Sequence, residues 1–241
     1  MPTGSPASGP SPTARRPFIA PVWHTLSLLL LLGFFGWYDA QHARNVGSLS
    51  GVATRGAILR GYLLAILYEW GVAAWAWGGV QFKGGNLPTL TGGRWANWRS
   101  LATDMAIAIP FWGMWELTAR LIHHAVERAQ AQTTPYHPPS GSVEVLLWVL
   151  LSVSAGICEE IIYRGYLQQQ FRTAARSLVV AVVLQALVFG LVHAYQGWKQ
   201  VVIIVPLGIL YGALVAWRGN LRASAIAHSL SDIFEGWLKF L

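Results

Sequence analysis

The sequence predicts an all-α fold, a polytopic membrane helix bundle, and three observations carry that prediction. Of 241 residues, 54% are hydrophobic and only 11% charged, whereas a soluble domain carries about a quarter charged residues. Seven apolar intervals approach the length of about 20 residues that crosses a bilayer: 20–38, 57–79, 101–123, 143–170, 178–197, 201–217 and 221–239. Aromatic residues gather near the ends of these intervals, among them Trp23, Trp37, Tyr38, Trp75, Trp77, Trp95, Trp98, Trp198, Trp217 and Trp237. Such belts mark the two membrane interfaces.

Residues 1–17 are rich in Pro, Ser, Thr and Gly, cannot bury a core and are expected to be a disordered N-terminal tail. Arg15 and Arg16 read as a positive flank before the first span. Residues 18–142 hold three N-terminal transmembrane helices, and residues 143–241 hold the other four. The fourth interval is long, because its helix should continue through Gln168–Gln170 to Arg172. Loops 80–100 and 126–142 carry Gly and Pro punctuation, including Gly84, Gly92, Pro135 and Pro138. The net charge of +7 lies mainly in loops and helix ends. That is a membrane-orienting pattern and predicts no nucleic-acid partner. A cytoplasmic N-terminus puts nine basic residues inside, Arg15, Arg16, Lys83, Arg94, Arg99, Arg172, Arg176, Arg218 and Arg222, against seven outside. The localisation that follows is an integral, multi-pass protein with the lipid bilayer as partner. The single cysteine, Cys158, allows no intramolecular disulfide and reads as a small core residue.

Within the fourth interval stands Cys158-Glu159-Glu160-Ile161-Ile162-Tyr163-Arg164-Gly165. Charges at bilayer depth cost a few kcal/mol and mark functional sites by default. Glu160 and Arg164 are four apart on one helix face and can pair. Glu159 points about 100° away, has no cation at that spacing and faces a different wall. Its neighbour at i+4 is Tyr163. Elsewhere, Glu116 and Arg120 share the i,i+4 spacing, His123 and His124 read as interfacial, and Glu69 has no assigned role.

Two further motifs lie in the C-terminal half. Phe189-Gly190-Leu191-Val192-His193 ends the fifth interval, and His228-Ser229-Leu230-Ser231-Asp232 lies in the seventh. His228 and Asp232 are i,i+4, so the carboxylate can orient the ring. Counted from loops 171–177 and 218–221, the depths of Glu159, His193 and His228 spread over roughly 12 Å. Tilt, or a longer fourth helix, can close part of that gap, and the expected fold places a polar cavity among the C-terminal helices.

In order, Glu159-Glu160-x-x-x-Arg164, Phe189-x-x-x-His193 and His228-x-x-x-Asp232 resemble the motifs of the CPBP intramembrane proteases. That family contains CAAX prenyl endopeptidases and the Abi bacteriocin-processing and immunity proteins. The resemblance covers the C-terminal hundred or so residues and makes 143–241 a CPBP-like catalytic transmembrane core. It implies an intramembrane endopeptidase acting on a membrane-associated protein or peptide, either a CAAX-type protein or a peptide precursor, in a bacterial cytoplasmic membrane.

Such a reaction needs water, a base and a donor for the tetrahedral oxyanion. Glu159 is the candidate base. His193 can hold the same water, and His228 can donate to the oxyanion. Asp232 would fix the His228 tautomer, as a carboxylate does in a triad. Glu160, Arg164 and Phe189 are supporting residues. No cofactor is favoured, although Glu159, His193 and His228 also form a His₂Glu set of the kind that binds catalytic zinc. A transporter or proton relay, and a non-catalytic immunity or scaffold protein, are the competing readings.

Overall fold

The computed structural model describes residues 17–48, 55–126, 139 and 141–238, with side chains placed for most of them. All described regular structure is helical. Helix α1 (Val22–Ser48) starts behind Pro21, whose carbonyl accepts from the His24 and Thr25 amides. Helix α2 (Arg55–Gln81) runs back, and the short α3 (Leu87–Thr91) follows. Asn86 and Thr89 form a capping box at the start of α3, as their sequence spacing allows. Gly92 closes it at φ 73°. A Cβ there would lie 2.6 Å from the Asn220 Cα, so both conformation and space demand glycine. Helix α4 spans Trp98–Val126.

The centre of the bundle is one 34-residue helix over 142–175, about 50 Å long at 1.5 Å per residue. It comprises α5 (Ser142–Glu159), a π-helical segment (Glu160–Leu167) and α6 (Gln168–Ala175). Arg176 turns the chain at φ 56°, and the Ser177 hydroxyl accepts from the Val180 amide to cap α7 (Leu178–Val192). A 3₁₀ turn (His193–Gln196), α8 (Trp198–Arg218) and α9 (Arg222–Leu238) complete the chain. The N-terminal part of the long helix packs against α2 and α9, and its C-terminal part packs against α7.

Long helices occupy all seven expected intervals, and the fourth runs three residues beyond Arg172. Four of the described helices, over 55–81, 142–175, 178–196 and 198–218, are long and apolar enough to cross a membrane. Of the others, α9 has only 17 residues, and α4 carries Arg99, Asp104, Glu116 and Arg120. The bundle is apolar outside and polar within. Leu101, Met105, Ile109, Leu117 and Leu121 form an exposed stripe along α4, while Asp104, Glu160, Arg164, Gln168, Gln185 and His228 are buried. Hydrocarbon does not solvate polar groups, so a helical membrane bundle turns them inward. The expected tail over 1–17 lies outside the described residues except for Pro17. The same holds for most of loop 126–142, and for the side chains of His123, His124 and Trp237.

At one face of the bundle, Asp104 gathers a cluster that fixes the start of α9. Its carboxylate accepts from Arg218 at 2.9 Å, Arg222 at 2.8 Å and the Trp95 indole at 2.9 Å. The Arg222 guanidinium also donates to the Arg94 carbonyl, and the Leu221 amide donates to that of Thr91.

Candidate active site

Glu159 closes α5 and Glu160 opens the π-helical segment. The wider turn of a π segment admits one extra residue into a helix and is frequent at functional sites. All eight of its residues are buried. Glu160 is fully buried, and one oxygen meets Arg164 Nη1 at 2.9 Å. The same oxygen accepts from His228 Nδ1 at 3.1 Å, and the other accepts from the Ser224 hydroxyl. The i,i+4 pairing expected from spacing is therefore present, as part of a larger network. The Arg164 guanidinium also lies 4.4 Å from the Phe189 ring centre and donates to the Gly208 carbonyl at 3.4 Å. Further hydrogen bonds of this kind offset part of the cost of burying an ion pair.

Glu159 faces the other wall. Its carboxylate lies 3.4 Å from His228 Nε2 and 3.8 Å from His193 Nε2, and its side chain keeps 12% exposure. The structure thus brings together Glu159, His193 and His228 from three helices. The longer fourth helix accounts for part of this. It ends at Ala175, which puts Glu159 about as far from that end as His193 is from the start of α7. His193 donates from Nδ1 to the Phe189 carbonyl at 2.7 Å. A carbonyl can only accept, so in the neutral ring Nε2 presents its lone pair to Glu159. Phe189 meets His193, His228 and Tyr163 edge-on, with ring centres 4.8, 5.8 and 4.9 Å apart. That contact gives the aromatic position of the second motif a physical role.

The expected role of Asp232 differs from its geometry. Its carboxylate lies 3.8 Å from His228 Nε2, the nitrogen that faces Glu159. Glu160 holds the Nδ1 side and orients the ring. The reason is packing: α9 crosses α5 where Gly156 meets Ser229, and a Cβ on Gly156 would lie 2.7 Å from the Ser229 amide nitrogen. That close crossing brings the start of the π-helical segment, rather than the next turn of α9, against Nδ1.

Sequence reasoning missed three contributors. Tyr211 stacks on His228 with centres 5.0 Å apart and shares a hydrogen bond with Ser231 at 3.2 Å. Ser224, one turn before His228, holds Glu160. Glu69, half-buried on α2, lies within electrostatic reach of Glu159 and Asp232. Only Ser224 left a signal, a hydroxyl at i−4 from a motif histidine. Tyr211 sits in an apolar run, and α2 shares no motif with the rest.

Both imidazoles have Nδ1 engaged and Nε2 directed at a carboxylate, the second-shell arrangement of zinc ligands. Glu159, His193 and His228 are the residues that would hold zinc in the His₂Glu alternative, and among the described residues no group of three His, Cys, Asp or Glu side chains already forms a closed metal site. The same arrangement can hold a water. A contact of 3.8 Å between Nε2 and a carboxylate oxygen is too long for a direct hydrogen bond. One water at about 2.8 Å from each would bridge them.

Residues 141–234 match a family described as type II CAAX prenyl endopeptidase Rce1-like. No curated protein and no solved structure matches the chain. The matched stretch contains all three motifs and every residue around Glu159 described above except Glu69. On the motifs and the match together, residues 141–234 are similar to the core of the CPBP/CAAX proteases.

Proposed function

We propose that the protein is an intramembrane endopeptidase that hydrolyses a peptide bond of a membrane-associated substrate, of CAAX type or a peptide precursor, with Glu159 activating the water. The observation that carries this reading is the partly exposed Glu159 carboxylate between two imidazole Nε2 atoms, 3.4 and 3.8 Å away.

In the proposed reaction, water sits between Glu159 and His193. The His193 Nε2 lone pair accepts one of its hydrogens and Glu159 removes the other as the oxygen attacks the scissile carbonyl. Negative charge then grows on the carbonyl oxygen. His228 donates to it from Nε2 while Nδ1 donates to Glu160, so the ring acts as an imidazolium held by a buried anion. Preorganised donors of this kind are worth about 10²–10³-fold in rate. When the tetrahedral intermediate collapses, the C–N bond breaks and the proton on Glu159 passes to the leaving amine. Asp232 stands at the rim of the same nitrogen, 3.8 Å away. Arg164 and Phe189 are positioning residues that act through Glu160 and the two rings.

The exposed stripe on α4 supports seven crossings rather than four, and a bacterial cytoplasmic membrane is the proposed location. The test is proteolysis by the purified, detergent-solubilised protein of a reporter tethered through a transmembrane segment, carrying either a prenylated CAAX tail or a peptide precursor. Turnover of one and not the other names the class, and ion flux coupled to substrate in sealed vesicles, with no cleavage, would favour a transporter.

A further inference from the structure

A cavity lies away from Glu159, at the face where α2, α6 and α8 end and α4, α7 and α9 begin. Its volume is about 450 Å³, within the size of a small-ligand site and too large for a bare anion. Arg164 and Gln168 line it from the long helix, Arg172 and Thr173 lie one turn further along, and Leu178 and Val215 supply apolar wall. No carboxylate lies among its described lining residues. Arg164 is 1% exposed, and its Nε has no hydrogen-bond partner among the described residues.

The surroundings have the same sign. On this face Lys83, Arg94, Arg99, Arg172 and Arg176 add positive charge, and Asp104, the one acid described there, is engaged by Arg218 and Arg222. A choline or ethanolamine group would bring a further cation into this field, whereas a net-anionic headgroup would meet complementary charge. A basic recess between transmembrane helices at the membrane surface, with apolar walls below it, suits a phosphate group joined to acyl chains.

We propose that this cavity binds the phosphate headgroup of an anionic phospholipid, with the first acyl carbons against Leu178 and Val215. The occupant would sit beside Arg164 and hence one residue contact from Glu160, but its binding does not depend on the hydrolytic reading.

The experiment is a native mass spectrometry titration of the full chain in detergent. The ligands are dioctanoyl phosphatidylglycerol, dioctanoyl phosphatidylcholine and sodium phosphate. The expected result is saturable binding of the phosphatidylglycerol alone. Arg172→Gln should weaken it about fivefold, as for one surface cation. Ala216→Phe, which fills the cavity wall without changing charge, should abolish it while thermal unfolding without lipid stays unchanged. Equal binding of the choline lipid, competition by millimolar phosphate at the same site, or binding that survives both variants would overturn the proposal. If Ala216→Phe does not fold, Arg172→Gln alone decides, and undiminished affinity there counts against it.

Discussion

Glu160 and His228 are joined at 3.1 Å between a carboxylate oxygen and Nδ1, although 68 residues separate them. The same carboxylate takes Arg164 at 2.9 Å and the Ser224 hydroxyl. One buried anion therefore ties the π-helical segment to α9 and sets the direction of the imidazole. The adjacent glutamates therefore differ: Glu160 is committed to three donors, whereas Glu159 stays partly exposed between two imidazole Nε2 atoms.

Removing the cation should be costly for folding. Arg164→Ala strands Glu160 as a buried charge, and such losses cost about 3–5 kcal/mol. Thermal unfolding in detergent should show a much lower midpoint and a reduced folded yield, with cleavage falling in proportion. A variant as stable as wild type yet inactive would give Arg164 a direct catalytic part instead.

The crossing of α5 and α9 should be equally intolerant. A methyl group on Gly156 cannot fit against the Ser229 backbone, so Gly156→Ala must push the helices apart. Overpacking of this kind costs about 1–3 kcal/mol. The displacement falls one turn from Glu159 and one residue from His228, where a shift of about 1 Å can cost 10²-fold in rate. The expected outcome is a folded protein with kcat down about a hundredfold. Unchanged kcat would show that this contact does not set the site.

Asp104 offers the opposite pattern. Asp104→Ala releases Arg218, Arg222 and the Trp95 indole, but these arginines are partly exposed and can turn to water. A loss of about 1–3 kcal/mol in stability is expected, with cleavage per folded molecule unchanged. A drop in kcat at constant folded fraction would mean that the cluster reaches the chemistry.

Hydrolysis by glutamate alone should survive chelation. After exhaustive dialysis against 1,10-phenanthroline, cleavage of a membrane-tethered reporter should keep its rate. Loss of activity that added zinc restores would show that His193, His228 and Glu159 close around a metal when the substrate is bound.

Much of the fold was legible in the sequence because lipid imposes a simple rule. Leucine-rich intervals such as 26–32 and 143–153 must be helical, and the rare charges among them must face inward. The i,i+4 spacing of Glu160 and Arg164 likewise fixed their pairing, since both ends lie on one helix. What could not be read was geometry set between helices. Glu160 orients His228 because Gly156 lets α9 approach, a tertiary fact with no local signature. The π-helical segment begins at Glu160 in a stretch whose apolar residues suit an ordinary helix equally well. Asp104 and Arg222 are 118 residues apart, and nothing in either neighbourhood announces the other.

The most direct test of the account compares Glu159→Gln with Glu160→Gln, each purified and assayed for reporter cleavage alongside thermal unfolding. Glu159→Gln keeps the shape and loses the base, so it should unfold at the wild-type temperature with cleavage reduced by about 10²–10⁴-fold. Glu160→Gln weakens the hold on Arg164 and His228, so it should lose stability and activity together. A stable Glu160→Gln protein that is inactive, beside a Glu159→Gln protein that still cleaves, would contradict the assignment of Glu159 as the base.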